Sequence, residues 1–600
     1  MSTYTARLAA LRDQLAHQQL DGFVVPLTDE HMSEYVGAYA QRLAWLTGFQ
    51  GSAGTAVVLP AEAAIFTDGR YTLQVREQVS GDDWQFVGVP ETSVSGWLAG
   101  HVKQGARIGY DPWLHTRAWV EEATKALAAI GATLVPVDTN PVDAVWPDRP
   151  QPSDAKLAVH DTVHAGRSSA EKRAAVADWL LEQKADAVVL AALESTAWLL
   201  NVRGGDVSRT PVALSYTVVH ADGTADLYVA PEKMTEAVAQ HLGNAVRIHD
   251  RKAFAAALGR LAGQRVAVDP ALAVAAIPQA IEAGGGTVLP LRDPTVIPRA
   301  VKNTVEQAGH RAASIRDGAA LTRFLRWIAI EGPKGGQTEL TAAAKLEEFR
   351  RETGVLKDLS FDAISATGPH GAIPHYHVTE ESSLPIEQGQ LYLIDSGGQY
   401  DDGTTDVTRV VPIGEPTAEM RDRYTRVLKG HIALATAVFP HGTTGSQLDA
   451  LARLPLWQAG LDFSHGTGHG VGSYLSVHEG PARIAKPSYP GGGPSEPLLP
   501  GMILSNEPGF YKAGEYGIRI ENLLLVVERE IEGGEATMLA FETLTLVPID
   551  RDLVDPALLT PGELSWLNDY HARVAATLAP VLEGEEREWI ISRCSPIAVA

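Results

Sequence analysis

The chain has 600 residues, 45% hydrophobic and 20% charged, the make-up of a globular protein with about three to five domains by length alone. Its formal net charge of −23 excludes a nucleic-acid partner, which needs clustered Lys and Arg; the acidity reads as solubility. A single cysteine, Cys594, excludes a disulfide framework and a thiolate zinc site and points to a reducing cytoplasm.

The first segment, MSTYTARLAALRDQLAHQQL, has the pattern of an amphipathic helix with scattered charges and no signal-peptide apolar core. No apolar run approaches the ~20 residues that span a bilayer, so no membrane partner is expected. RLAALRDQLAHQQLDGFVV (7–25) matches KRAAVADWLLEQKADAVVL (172–190), each a helix followed by a buried strand. AWLTGFQG (44–51) matches AWLLNVRG (197–204) at an offset of 153 residues. A strand pair follows each, at 55–71 and 215–230, the second with hairpin turn chemistry at Asp222-Gly223. The shared order predicts a duplicated α/β domain over about 1–145 and 160–300.

Proline-rich stretches at 139–154 and 289–303 read as linkers, giving domains at 1–150, 151–300 and 301–600. The third opens with long helical patterns at 305–329 and 338–352, the latter capped by Thr338 or Thr341. Strands, glycine turns and helices then alternate to about 550, interrupted by a low-complexity loop, KPSYPGGGPSEPLLPG (486–501). The last fifty residues read as helices, and EGEERE (583–588) as a solvated face.

The third domain places acids where apolar strands should be. LYLIDSGGQYDDGTTDVTRVV (391–411) reads as a hairpin turning at Asp402-Gly403, which brings Asp395 and Asp406 side by side, on one face if the register is right. Glu507 closes the apolar run MILSNEPGF, and Glu521 sits in the middle of the strand-like YGIRIENLLLVVE. Any one of these could be a salt bridge or a strand-end cap. Four of them beside HGTGHGVG (465–472) point to metal, because a buried acid is costly unless paired or ligated. The predicted ligands are Asp395, Asp406, His469, Glu507 and Glu521. Oxygen donors with one imidazole suit Mn²⁺, Co²⁺ or Fe²⁺, and Zn²⁺ less well. Five ligands rich in carboxylates suit two ions roughly 3.5–4 Å apart. His375, His465 and His478 fit around this centre, while His370, His377, His431 and His441 read as ordinary hydrogen-bonded residues. Rival motifs fail: VHEGP carries Pro481 where a zincin helix must continue, Ser52 lacks a complete nucleophile elbow, and Val471 breaks a GxGxxG reading.

DSGGQYDDGTTDVTR, HGTGHGVG, VHEGP, NEPGFY and GIRIEN, in this order and spacing, resemble the Xaa-Pro aminopeptidases of the cytosolic three-domain type, relatives of creatinase, prolidase and methionine aminopeptidase. GFQGSAGTAVV, FTDGRYTLQ and WLNDYH extend the resemblance over essentially the whole chain. It implies two related creatinase-like α/β domains followed by a pita-bread catalytic domain with a C-terminal helical extension, and it puts the family's metal ligands on the five residues above. It also implies His375, His465 and His478 as substrate-contacting and proton-shuttling histidines, Arg70 as a substrate contact, Mn²⁺ as the usual metal and a homodimer. Ser505-Asn506 departs from the Thr and Asp common before Glu507.

The implied reaction is hydrolysis of the first peptide bond, with proline second, by a hydroxide bridging two cations. His465 or His478 would stabilise the oxyanion, Glu507 would shuttle the proton and His375 would orient the prolyl substrate. The N-terminal domains would limit which peptides enter. A prolidase restricted to dipeptides is the alternative within the class. A non-catalytic peptide- or histone-binding protein is the alternative outside it, disfavoured because all five ligands are present.

Overall fold

The computed structural model describes residues 3–487 and 493–598; residues 488–492, part of the loop read at 486–501, lie outside the described residues. The chain forms two compact units, Met1–Arg299 and Ala300–Ala600.

The first unit contains two six-stranded sheets. One is built from β1 (Gly22–Pro26), β2 (Thr55–Val58), β3 (Ala63–Thr67), β4 (Gln85–Gly88), β5 (Arg107–Tyr110) and β6 (Thr133–Pro136), in the order β4-β3-β2-β1-β5-β6. The other uses β7 (Ala187–Leu190), β8 (Ser215–His220), β9 (Ala225–Val229), β10 (Val246–His249), β11 (Arg265–Val268) and β12 (Thr287–Pro290), in the order β10-β9-β8-β7-β11-β12. Each first strand is antiparallel to its second, the second to the third, and every other pairing is parallel. The repeat read from the sequence is thus a repeat of topology, down to the sense of each pairing.

Both faces of the first sheet are covered, so β1 is buried throughout. Successive side chains point to opposite faces. Phe23 and Val25 join Leu8, Leu11 and Leu15 of the helix Thr3–His17 in one core, and Val24 joins Trp97, Leu98 and Leu127 in the other.

The second unit begins with the helix Thr304–Glu331, started by a capping box between Asn303 and Glu306. Its Leu321, Phe324, Leu325 and Ile328 pack against Tyr392, Ile394, Val407 and Val411. The next helix, Glu339–Arg351, opens with Thr338 and Thr341 capping each other reciprocally, so both predicted caps act. The second unit's strands include β13 (Ile364–Thr367), β14 (Leu391–Ser396), β15 (Val407–Pro412), β16 (Val438–Pro440), β17 (Gly468–Gly470), β18 (Glu479–Ile484), β19 (Ile503–Asn506), β20 (Gly509–Lys512), β21 (Tyr516–Arg519), β22 (Asn522–Arg529) and β23 (Met538–Thr543). They form a β13-β14-β15 sheet, a β16-β23-β22-β19-β17-β18 sheet and a β20-β21 ribbon.

One local expectation is corrected and one is kept. The stretch 516–528 is two strands, because the chain leaves the ribbon after Arg519 and enters the large sheet at Asn522. EGEERE is the solvated face expected, exposed at every position but the half-buried Glu586. It starts the helix Gly584–Arg593, and its Glu585 and Glu586 pair with Arg326 and Arg323 of the long helix. Among the described residues no helix is long and apolar enough to cross a membrane.

Candidate metal centre

The hairpin register decides which acids meet. Asp395 on β14 faces Thr408 on β15, and Asp406 precedes Thr408 by two residues. The period of two puts Asp395 and Asp406 on the same face, as diagonal neighbours. The turn falls at Asp401-Asp402, one residue earlier than the sequence suggests. Glu521 enters from the break between β21 and β22, where its backbone N–H donates to the Thr408 carbonyl at 3.3 Å and its carbonyl accepts from Arg409 Nη1 at 2.7 Å. Arg409 is buried and also donates to Pro548 O, Val547 O, Asn522 Oδ1 and Tyr570 OH. It therefore fastens the break that aims Glu521 inward.

His469 lies on β17, between β18 and β19. The glycines beside it are demanded by close packing. A Cβ on Gly468 would fall 2.0 Å from Ser505 O, and one on Gly470 would fall 2.4 Å from Glu479 O. The His469 ring is oriented by Nδ1, 2.9 Å from Gly470 O, which fixes the proton there and turns the Nε2 lone pair inward. Nε2 is 3.4 Å from both Asp406 Oδ2 and Glu507 Oε1. Ser505 Oγ accepts from the His469 backbone N–H at 2.9 Å and donates to Glu507 Oε1 at 3.0 Å, joining two of the predicted ligands.

Asp406, His469 and Glu521 each offer a ligand atom within 4.8 Å of the others. Burial, and then the Asp395 charge, push Asp406 well above the usual carboxylate range. Burial and Asp406 do the same to Glu521, and burial raises Glu507. Burial pulls His469 down to about 4, so its imidazole is neutral and able to ligate near neutral pH. Asp395 Oδ2 accepts from Arg519 Nη2 at 2.6 Å, while its buried Oδ1 has no hydrogen-bond partner. Crowded carboxylates, a neutral imidazole with an inward lone pair and an orphaned buried oxygen fit divalent cations.

The remaining predicted histidines divide by distance. The His478 ring centroid is 4.3 Å from that of His469, and His375 is 6.5 Å from His478. His465 touches the centre through Tyr511: its Nδ1 is 2.7 Å from Gly466 O, so Nε2 accepts from the Tyr511 hydroxyl, also at 2.7 Å. Arg70 belongs to the first unit, where it forms a two-pronged ion pair with Asp68, the shorter contact 2.8 Å. His370 and His431 are held by hydrogen bonds to Glu339 and Asn506 O, and His377 and His441 are exposed.

Sequence reasoning missed several side chains that organise the centre. Arg519 donates to Asp395, to Thr408 Oγ1 and to Tyr511 OH. The helix Gly445–Trp457 holds the histidine loop with an i, i+4 pair: Asp449 Oδ1 accepts from Thr467 Oγ1 at 2.6 Å, and Arg453 donates to Phe463 O and His465 O. The available signal was an Asp and an Arg one turn apart in the apolar LDALARLPLW.

The sequence profile of "Metallopeptidase family M24" matches residues 308–528, and that of its C-terminal region matches 537–597. Profiles of the "Creatinase/Prolidase N-terminal domain" match 7–145 and 148–306. A "Probable Xaa-Pro aminopeptidase P" of Aspergillus flavus is 40% identical over 99% of this chain and 92% of its own. "Aminopeptidase P2" of Arabidopsis thaliana is 39% identical over 96% of this chain and 86% of its own. The X-prolyl aminopeptidase of Caenorhabditis elegans, described as a cytosolic enzyme with a di-nuclear active site, superposes over 100% of both chains with a TM-score of 0.94 at 36% identity. These similarities bear out the expected architecture of two related creatinase-like domains followed by a metallopeptidase domain.

Proposed function

We propose that Asp395, Asp406, His469, Glu507 and Glu521 hold two divalent cations in this chain, which belongs to the Xaa-Pro aminopeptidase P group of the M24 metallopeptidases. It is a metal-dependent aminopeptidase that removes the first residue from peptides with proline in second place. The observation that carries the ligand reading is the convergence of buried acids on the inward Nε2 of His469.

When bound, the cations supply a nucleophile at neutral pH and draw electron density from the scissile carbonyl. The chain's own side chains do the rest. Glu507, raised by burial, accepts the proton released by the attacking water and hands it to the leaving prolyl nitrogen, which has no N–H of its own. His478, beside His469, donates to the developing oxyanion. His375, further out, orients the prolyl residue. The hydroxyl of Tyr511, held by Arg519, fixes His465 through Nε2 at the edge of the centre. Asp395 receives the free amino terminus of the peptide.

Mn²⁺ is the proposed metal, because donors dominated by carboxylate oxygen favour a hard cation. The test is a chelated preparation given back Mn²⁺, Co²⁺, Zn²⁺ or Fe²⁺ and assayed on Xaa-Pro dipeptides, longer Xaa-Pro peptides and Xaa-Ala peptides. Mn²⁺ should restore the highest activity, on the longer Xaa-Pro peptides. Full activity after chelation would end the metal reading.

A cytoplasmic location is supported by the lone, buried cysteine and by the relative described as cytosolic. A homodimer is supported by the helix Gly445–Trp457, which exposes Leu451, Leu454 and Trp457 along one side, at 36%, 48% and 44%. Trp457→Glu should convert the dimer to monomer in sedimentation; a wild type that sediments as a monomer sinks the dimer.

A further inference from the structure

Glu339 is the first residue of the helix Glu339–Arg351 and is fully buried. Among the described residues no Lys or Arg forms an ion pair with it. Its partners are donors spread over a later stretch of chain. Oε1 accepts from the backbone N–H of Thr367 at 2.8 Å, and Oε2 from that of Leu384 at 2.9 Å. Oε2 also accepts from the Tyr376 hydroxyl at 3.0 Å, and His370 Nδ1 lies 3.0 Å from both oxygens. The backbone adds to the grip: the Glu339 carbonyl accepts from Ser365 Oγ at 2.6 Å, and its N–H donates to Leu384 O at 3.1 Å.

These contacts tie down both ends and the middle of the segment 367–384. Apart from Thr367, the last residue of β13, and a short 3-10 turn, Gly368–Ala372, that segment has no regular structure of its own. His375 sits inside it, directly before Tyr376. A carboxylate is the side chain that suits the task, because it accepts at two oxygens and donates at neither. Glutamine would turn one acceptor into a donor facing the Tyr376 hydroxyl or a backbone N–H.

We propose that Glu339 is a positioning residue for His375, fixing the loop that presents this histidine to the prolyl substrate. The inference rests on the reading of His375 as a substrate-orienting side chain. Its effect is transmitted through Tyr376 and the two backbone donors, with no contact to substrate or metal.

The test is a double-mutant cycle on the full-length, Mn²⁺-loaded enzyme, with kcat and KM measured on an Xaa-Pro peptide. Glu339→Gln should lower kcat/KM on the order of 10- to 100-fold, with metal content kept and the melting temperature lowered, because a buried donor then faces a donor. His375→Ala should lower it comparably. Added to His375→Ala, Glu339→Gln should cost less than about 2-fold more, since the two act as a unit. Tyr376→Phe, a milder change, repeats the cycle if Glu339→Gln does not fold, and it too should be silent on the His375→Ala background. Losses that multiply in the double variant, or a Glu339→Gln loss accompanied by loss of metal, overturn the inference while leaving the role of His375 intact. Full activity in His375→Ala overturns the reading of His375 and the inference with it.

Discussion

In the first unit Lys233 lies 2.6 Å from Asp206 with both side chains no more than 2% exposed, and Arg42 lies 2.7 Å from Asp143. In the second, Asp395, Asp406, Glu507 and Glu521 crowd around Arg519 and one neutral imidazole. The first arrangement balances its charges where the chain leaves them. The second carries an excess of negative charge that no side chain there cancels, and burial first, then that surplus, drives Asp406 and Glu521 far up. Buried pairs of opposite sign serve a fold; a buried surplus of one sign asks for a cation from outside.

The strongest way to break this contrast is Asp406→Asn. It should remove bound metal and lower kcat/KM by three orders of magnitude or about that. Excess Mn²⁺ should raise the melting temperature of the wild type and not of the variant. The metal-free variant should melt no lower than the metal-free wild type, because one of several repelling carboxylates has gone. A metal-free variant that melts well below the wild type would mean the acids are ordinary structural partners.

Lys233→Met makes the opposite test in the first unit. It leaves Asp206 buried without its cation and should cost about 3–5 kcal/mol in urea unfolding, with metal content untouched. An unchanged midpoint would show that the pair does no more than a surface ion pair.

A smaller effect sharpens the contrast by separating charge balance from simple burial. Burial takes His115 in the first unit and His571 in the second to about 4. Each is therefore neutral when folded, and the unfolded chain takes up the proton first as the pH falls below the ordinary value of about 6.5. The stability each contributes is complete above about 6.5 and declines towards pH 4, at up to about 1.4 kcal/mol per pH unit. Urea midpoints at pH 7, 6 and 5 should fall, and His115→Gln should flatten the slope. A variant as acid-sensitive as the wild type would show that His115 is solvated.

Asp395, Asp406, Glu507 and Glu521 were legible because each is an anomaly, an acid at the end or in the middle of an apolar run. Gly468 and Gly470 were legible as a constraint without a cause, until the carbonyls of Ser505 and Glu479 supplied one. Asp449, Arg453 and Glu339 were not, since a charged residue in an amphipathic helix pattern reads as surface. Their importance lies in partners far along the chain, such as Thr467 and His465 for the first two and Thr367 and Leu384 for the third. Glu521 was legible as an acid but not as the point where the chain changes sheets, because Arg409, which pins that break, has neighbours at 522, 547, 548 and 570.

The sequence by itself determined the local terms: the duplicated order of helices and strands, the capped start of the helix at 338–352 and the residue types able to bind a cation. Those follow from periodicity, turn chemistry and the cost of burying charge, all of which act over a few residues. Only the tertiary structure decided the register that sets Asp406 diagonal to Asp395, the inward turn of His469 Nε2 and the supports under His375 and His465. The His469 ring is turned by the adjacent Gly470 carbonyl, but the strand pairing and the hydrogen bonds of Glu339 with Thr367 and Leu384 and of His465 with Tyr511 join separate segments, and no local pattern encodes such a pairing.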